Sequence, residues 1–225
     1  MKITFISDTH GLHSHYTSKA YGNLLGEGDI LVHAGDISNI GKESEIKNFL
    51  DWFSNTDYTH KVFIAGNHDW GFTKIDDIDQ EYKDKGVVYL CDSSVTIEGL
   101  KFYGTPWQPE FYNWAFNLPR NGNELKSKWD LIPDDTDILI THGPPWSILD
   151  VVPTGAPVGC EFLYDRVLEV RPLINVFGHI HSSYGQKTLN GIEYLNASLL
   201  GENYLPKNLP IKIDLDLLSK EISYI

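Results

Sequence analysis

An α/β domain built on mixed sheets is the fold class this sequence predicts, and three observations predict it. Short β-branched or aliphatic runs at residues 2–7, 29–34, 61–65 and 87–90 read as strands. Between the second and third, KESEIKNFLDWFS places Ile46, Phe49, Leu50 and Phe53 at helical spacing, so the chain opens as a βαβ unit. The stretch SVTIEGLKFYGT then reads as a hairpin with Gly99 near its turn, which brings in antiparallel strands and calls for a mixed sheet or a sandwich.

The later elements follow in order. Residues 106–119, PWQPEFYNWAFNLP, are irregular and carry Trp107, Phe111, Tyr112, Trp114 and Phe116. These rings either cap the core beneath a long loop or form a pocket wall on which a planar group stacks. NELKSKWDLI reads as a charged helix, and GCEFLYDRVLEVRP as a crossover helix broken at Pro172. Short strands and turns, TLNGIEYLNAS and LPIKIDLDL, close the chain. No repeat, linker or low-complexity segment interrupts it, so one domain over residues 1–225 is expected.

Composition narrows the function classes. A chain of 225 residues with 41% hydrophobic and 12% aromatic side chains can bury one sizeable core. No apolar stretch approaches the roughly 20 residues that span a bilayer, and Met1 runs into KITFI without a signal-peptide pattern. A soluble, cytoplasmic protein without membrane contact is therefore expected. Cys91 and Cys160 are too few for a disulfide framework and have no zinc-ribbon spacing. A net charge of −13, with only Arg120, Arg166 and Arg171 as guanidinium groups, argues against long nucleic acid as a partner. It does not argue against a local anion site, because bound cations would reverse the charge around acidic ligands.

Five of the apolar runs end in metal-binding residue types. KITFIS leads to Asp8 and His10, DILVHAG to Asp36, KVFIAG to Asn67 and His68, DILIT to His142, and LINVFG to His179 and His181. Strand carboxyl ends form the crevice of open α/β sheets, so groups distant in sequence can meet there. Any one of these blocks is a weak signal; the five together are a strong one. Gly35, Gly66, Gly143 and Gly178 flank them, either as ordinary loop glycines or because backbone must approach the site closely. His33 and His60 read as packed or exposed, His15 as surface, and His13 as a side chain that could reach the pocket.

In order, the blocks are Asp8-Thr9-His10, Gly35-Asp36, Gly66-Asn67-His68-Asp69, Thr141-His142-Gly143 and Gly178-His179-Ile180-His181. This series resembles the calcineurin-like metallophosphoesterase superfamily motif for motif. GTPWQPEFYNWAFNLPR, THGPPWSILD, VFGHIHSSYG and the NAS of residues 196–198 narrow the resemblance to its MPPED branch, over nearly the whole chain. Some members of that branch lack a metal-binding histidine; every corresponding position here is filled.

The resemblance implies a four-layer α/β sandwich, two mixed sheets flanked by helices, with a dinuclear site at one sheet edge. It implies one metal held by Asp8, His10, Asp36 and His181 and a second by Asp36, Asn67, His142 and His179, with Asp36 bridging. Such a donor set suits Mn, Fe, Zn, Co or Ni, manganese being favoured here. Two Lewis acids about 3.5–4 Å apart hold and acidify a water and clamp phosphate oxygens. His68 is implied to be no ligand but a proton donor to the leaving group, a task suited to imidazole. Asp69 either orients that ring or is an ordinary loop carboxylate. The expected activity is hydrolysis of a small phosphodiester, with a cyclic nucleotide the first candidate substrate. The alternatives are a phosphomonoesterase with the same centre and a slow nucleotide-binding or scaffold protein.

Overall fold

The computed structural model describes residues 1–225. In its first half, β1 (Lys2–Ile6), β2 (Gly28–His33), α1 (Glu43–Ser54), β3 (Tyr58–Phe63), α2 (Gln80–Lys83) and β4 (Val87–Tyr89) succeed one another. Then come β5 (Ser93–Ile97), β6 (Leu100–Thr105), β7 (Gln108–Pro109), β8 (Asn117–Leu118), α3 (Asn123–Asp130) and β9 (Ile138–Thr141). The chain continues through α4 (Glu161–Val170), β10 (Ile174–Phe177), β11 (Gly185–Leu189), β12 (Ile192–Asn196), β13 (Ile211–Leu215) and β14 (Ile222–Tyr224).

Two six-stranded sheets result, ordered β14-β13-β1-β2-β3-β4 and β11-β12-β10-β9-β6-β5. In the first, β1 through β4 run parallel and β13 pairs antiparallel with β1. In the second, β6, β9, β10 and β12 are parallel while β5 and β11 are antiparallel edges. Both sheets are mixed. Strand alternation explains the layering, since successive side chains point to opposite faces. Ile3 and Phe5 of β1 join Val62, Phe102, Ile140 and Val176 in an apolar layer between the sheets. Ile6, Leu31 and Phe63 face the other way and meet Ile46, Phe49, Leu50 and Phe53 of α1. On the far side, Leu139, Phe177 and Tyr194 pack against Leu125 and Trp129 of α3 and Leu163 and Val167 of α4. Helices, sheet, sheet, helices: the four-layer α/β sandwich is the observed fold.

Local chemistry accounts for the boundaries. The β5–β6 hairpin pairs Ile97 with Leu100 across a two-residue turn, and both turn residues, Glu98 and Gly99, have positive φ, as a tight hairpin requires. Helix α4 ends at Arg171, which adopts a left-handed conformation before Pro172, a residue that cannot continue the hydrogen-bond ladder. The 106–119 segment is shorter of structure than the chain around it, holding only the β7–β8 pair. No helix is long and apolar enough to cross a membrane, and both cysteines are unpaired, Cys160 being buried.

One expectation needs correction. The site residues do not share a single sheet edge: Asp8, Asp36 and Asn67 follow neighbouring strands β1, β2 and β3, whereas His142, His179 and His181 follow β9 and β10 of the other sheet. The two sheets present their strand carboxyl ends on the same side, and the sandwich closes the site between them. Truncating the layer that holds them together should therefore be costly. Ile140→Ala, at a fully buried position in that layer, should lower the unfolding free energy by about 2–5 kcal/mol, read from urea unfolding.

Candidate metal centre

The site is built around two buried carboxylates. Asp8 is fully buried and Asp36 nearly so, and each follows its strand in a left-handed conformation, with φ of 54° and 55°. His10 and His179 are left-handed as well, with φ of 41° and 67°. Non-glycine residues rarely adopt this region, and each costs on the order of 1–3 kcal/mol. The surroundings impose the conformation through donors aimed at the acids. The His68 amide donates to Asp36 Oδ1 at 2.8 Å; the His179 amide and the Ser198 hydroxyl donate to Asp8 Oδ2 at 3.0 and 2.8 Å. Gly66 and Gly178 are required by proximity: a Cβ on the first would overlap Asp36, and on the second Asp8 and Ser7.

Three histidines share one orientation. Nδ1 of His10, His142 and His181 lies 3.2, 2.9 and 3.1 Å from the carbonyl oxygens of Ser38, Ala34 and Gly201. A carbonyl only accepts, so each Nδ1 carries the proton and donates it, which turns Nε2 towards the acids. Those Nε2 atoms lie 3.6 Å from Asp36 for His10, 3.3 Å from Asp36 for His142, and 3.3 Å from Asp8 for His181. Asn67 Oδ1 is 2.9 Å from His142 Nε2. Donor atoms of Asp8, His10 and His181 lie within 4.8 Å of one another, as do those of Asp36, His142 and His179. His10, Asp36 and His68 form a third group within the same distance.

The charge states divide the histidines into two pairs. Burial opposes protonation of His142, but the charge of Asp36 and its hydrogen bond outweigh it and push the group up to about 9. His181 is likewise disfavoured by burial yet raised to about 9 by its hydrogen bond to Asp8 and that acid's charge. Burial dominates for His10 and His179, holding both down at about 4. Both Asp8 and Asp36 stay below the ordinary carboxylate range: burial acts against ionisation, and the neighbouring histidines overcome it. Two anions thus face two imidazolium groups, with two neutral imidazoles beside them. His10 Nε2 is buried with no hydrogen-bond partner. An orphaned imidazole nitrogen among carboxylate, amide and imidazole donors fits a divalent cation; these seven side chains can hold such ions.

Asp69 and His68 are separated by the geometry. The Asp69 carboxylate accepts from the amides of Ile37, Ser38 and Gly66 at 3.1, 3.0 and 2.8 Å and from the Ser38 hydroxyl at 2.6 Å. Burial and the charge of Asp36 push it up to about 7, while those four donors favour the ionised form. Of the two readings of Asp69, these contacts are those of a hydrogen-bonded loop carboxylate and not of a partner to the His68 ring. Instead, His68 Nδ1 donates to the Asn39 carbonyl at 2.7 Å. Asp69 braces the Asp36 loop against the Asn67–His68 turn, a task its two oxygens perform from beneath.

Around these groups lies a cleft of about 490 Å³ whose lining includes Asp36, Asn67, His68, His179 and His181. Phe111, Tyr112 and Trp114 line it, but Trp107 and Trp146 do not. Trp107 is tied elsewhere, donating from Nε1 to Asp92 at 3.0 Å beneath the Lys128 ammonium. Sequence reasoning missed Tyr204, whose ring lies 4.9 Å from that of His10 and 5.2 Å from that of His181; nothing in GENYLP marks it. His13 does not reach the cleft: it is buried against Trp52 and bonds Asn48 at 2.9 Å. His33 is buried and donates from Nε2 to Thr9, because its Nδ1 accepts from the Gly35 amide.

These charge states fix the pH dependence of the metal-free protein. His10, His13, His33 and His179, all depressed to about 3 or 4 by burial, contribute stability that is present above the ordinary 6.5 and lost as pH falls towards 4. His142 and His181, raised to about 9, contribute stability that is full below 6.5 and lost as pH rises through 9. Asp69 acts in the opposite sense to the first set, as one group against four. The unfolding midpoint of chelated protein should therefore peak near pH 6.5; a monotonic rise from pH 4 to 9 would contradict these assignments. Cation binding at pH 7 should release roughly two protons, from His142 and His181, measured by calorimetry in buffers of different ionisation enthalpy.

Comparison with known proteins identifies the family and the fold. The calcineurin-like phosphoesterase family model matches residues 1–183. Metallophosphoesterase domain-containing protein 1 of Homo sapiens is 43% identical over 95% of this chain, which spans 71% of that protein. Its Mus musculus counterpart matches equally. Among solved structures, a Thermus thermophilus protein superposes with a TM-score of 0.62 at 14% identity, covering 99% of this chain and 97% of its own. A dimetal phosphatase from Danio rerio gives 0.55 at 11% identity, covering 96% and 93%. Likeness at such identities is one of fold, whereas the family model and the mammalian relatives extend to sequence: the chain belongs to the calcineurin-like phosphoesterase family.

Proposed function

We propose that residues 1–225 form one metallophosphoesterase domain that hydrolyses a small phosphodiester, with 2′,3′- or 3′,5′-cyclic nucleotides the first candidates. The observation that carries this reading is the convergence of Asp8, His10, Asp36, Asn67, His142, His179 and His181 from five strand ends into two donor groups that meet around Asp36. In our assignment one divalent cation is held by Asp8, His10, Asp36 and His181, and another by Asp36, Asn67, His142 and His179. Manganese is the first ion to try, since oxygen and imidazole donors are mixed. Bound there, divalent cations would acidify a water and draw charge from the phosphoryl oxygens.

The chain's own groups supply the rest. Asp36, with two oxygens fixed by the His68 amide and His142, is the shared anionic ligand; an amide would lack the charge. His68, with Nδ1–H committed to Asn39, has Nε2 left to give a proton to the departing oxygen. The cleft volume lies within the range of small-molecule sites, and the exposed Phe111 and Tyr112 at its lining offer faces to a base. The two unpaired cysteines support placement in the reducing cytoplasm.

Chelation should abolish turnover of a cyclic nucleotide and manganese should restore it; full activity in metal-free protein would refute the proposal. Asp36→Asn should empty both cation sites, measured by elemental analysis. His68→Ala should retain the metal and slow hydrolysis of alkyl-leaving diesters by about 10²- to 10⁴-fold, with a much smaller effect on nitrophenyl esters. If phosphomonoesters are cut and no diester is, the same centre belongs to a phosphatase.

A further inference from the structure

His68 is a side chain with two faces and two nitrogens, and the structure occupies one nitrogen and stacks one face. Asn39 takes Nδ1. The His10 ring stands nearly perpendicular to the imidazole, with centroids 4.6 Å and planes 82° apart. Over it, the Trp114 indole stacks at 4.1 Å between centroids, with planes 27° apart. Trp114 is itself held in register, because the amide of Ala115 donates to the Asn67 carbonyl at 3.1 Å, tying the residue after the indole to the residue before the imidazole. Gln108 Nε2 braces the same turn through the Ala115 carbonyl at 2.9 Å.

Resting on the assignment of His68 as proton donor, we propose that Trp114 is a positioning residue, whose indole face fixes the His68 ring so that Nε2–H addresses the leaving oxygen. In the step it serves, a water oxygen forms a bond to phosphorus, its proton passing to solvent, while the phosphorus–oxygen bond to the leaving group breaks and that bond's electron pair stays on the leaving oxygen. The oxygen takes the proton from Nε2, and the imidazole is left neutral with Nδ1–H still on Asn39. An imidazole anchored at one nitrogen alone can still swing about that hydrogen bond. The indole removes that freedom, and proton transfer is sensitive to misplacement on the ångström scale. Stacking on His68 also uses one face of the indole, so Trp114 is not a free platform for a substrate base in the way Phe111 and Tyr112 are.

The test is steady-state kinetics of manganese-loaded protein on diesters that differ only in leaving group, from 4-nitrophenyl to alkyl. Trp114→Ala should lower kcat on the alkyl diester by about tenfold or more, a part of the usual general-acid contribution. It should change the nitrophenyl rate and both KM values by less than about threefold. Trp114→Phe, which keeps a flat ring, should recover most of the loss. Because both residues serve one proton transfer, His68→Ala with Trp114→Ala should be no slower than His68→Ala alone. A readout independent of turnover is the histidine ring NMR spectrum: a stacked indole shields the His68 ring protons, and the shielding should vanish in Trp114→Ala and persist in part in Trp114→Phe. Equal losses on both diesters through KM, or additive losses in the double variant, would make Trp114 a substrate wall and overturn the proposal. If His68→Ala is itself indifferent to the leaving group, the donor assignment falls first and this proposal falls with it.

Discussion

Two carboxylates buried at the ends of neighbouring strands are the constraint on which this molecule is organised. Removing Asp8 and Asp36 from water is unfavourable unless opposite charge and hydrogen bonds replace the solvent. Neither sheet can do this alone. The acids come from β1 and β2 of one sheet, and the groups that neutralise them, His142 and His181, follow β9 and β10 of the other. Ionic attraction therefore acts across the sandwich at the same end where apolar packing between the sheets runs out. Protons on His142 and His181 supply the positive charge in the metal-free protein, and divalent cations would supply more of it in the same place. The site is thus also a structural joint.

Holding like charges close demands a frame that does not yield. Much of the fold near the site is explained as that frame: four left-handed residues, glycines where a Cβ would overlap a carboxylate, and carbonyl acceptors that set each imidazole tautomer. Asp69 belongs to the same frame. Its donors come from Ile37 and Ser38 on one loop and Gly66 on another, so it locks the Asp36 loop and the Asn67–His68 turn into one relation. His33 does the same beneath β1 and β2, linking Thr9 to Gly35.

Much of this was legible in the sequence because the signal was local. Strand-like runs ending in Asp8, Asp36, Asn67, His142 and His179 needed only period-two patterning and a list of ligand types, and α1 announced itself through Ile46, Phe49, Leu50 and Phe53. Relations between distant segments were not legible. That the candidate ligands come from two sheets depends on strand order, which Asp8 and His142 do not encode singly. Asp69 follows His68 in sequence and yet touches other partners, because backbone direction at the turn, not adjacency, decides where a carboxylate points. Tyr204 sits in a loop with no periodicity and enters the site by a left-handed turn. Trp107, one of five rings near the motifs, is drawn away by Asp92 and Lys128, residues 15 and 21 positions distant in sequence.

The aromatic segment shows how one stretch of chain divides between two tasks. Rings of equal hydrophobic content have different fates according to their neighbours: Phe116 is buried in the core, and Trp114 lies on His68, while Phe111 and Tyr112 remain 56% and 82% exposed. Large apolar surface left in water at the lining of a cleft gains nothing for the folded state by itself. Packing is therefore concentrated beside the buried acids, where Trp114 lies on His68, and is lighter at the rings farther out, Phe111 and Tyr112. That division leaves the outer wall of the cleft open at Phe111 and Tyr112 while the frame beneath it is fixed by Asp8, Asp36 and the groups that neutralise them.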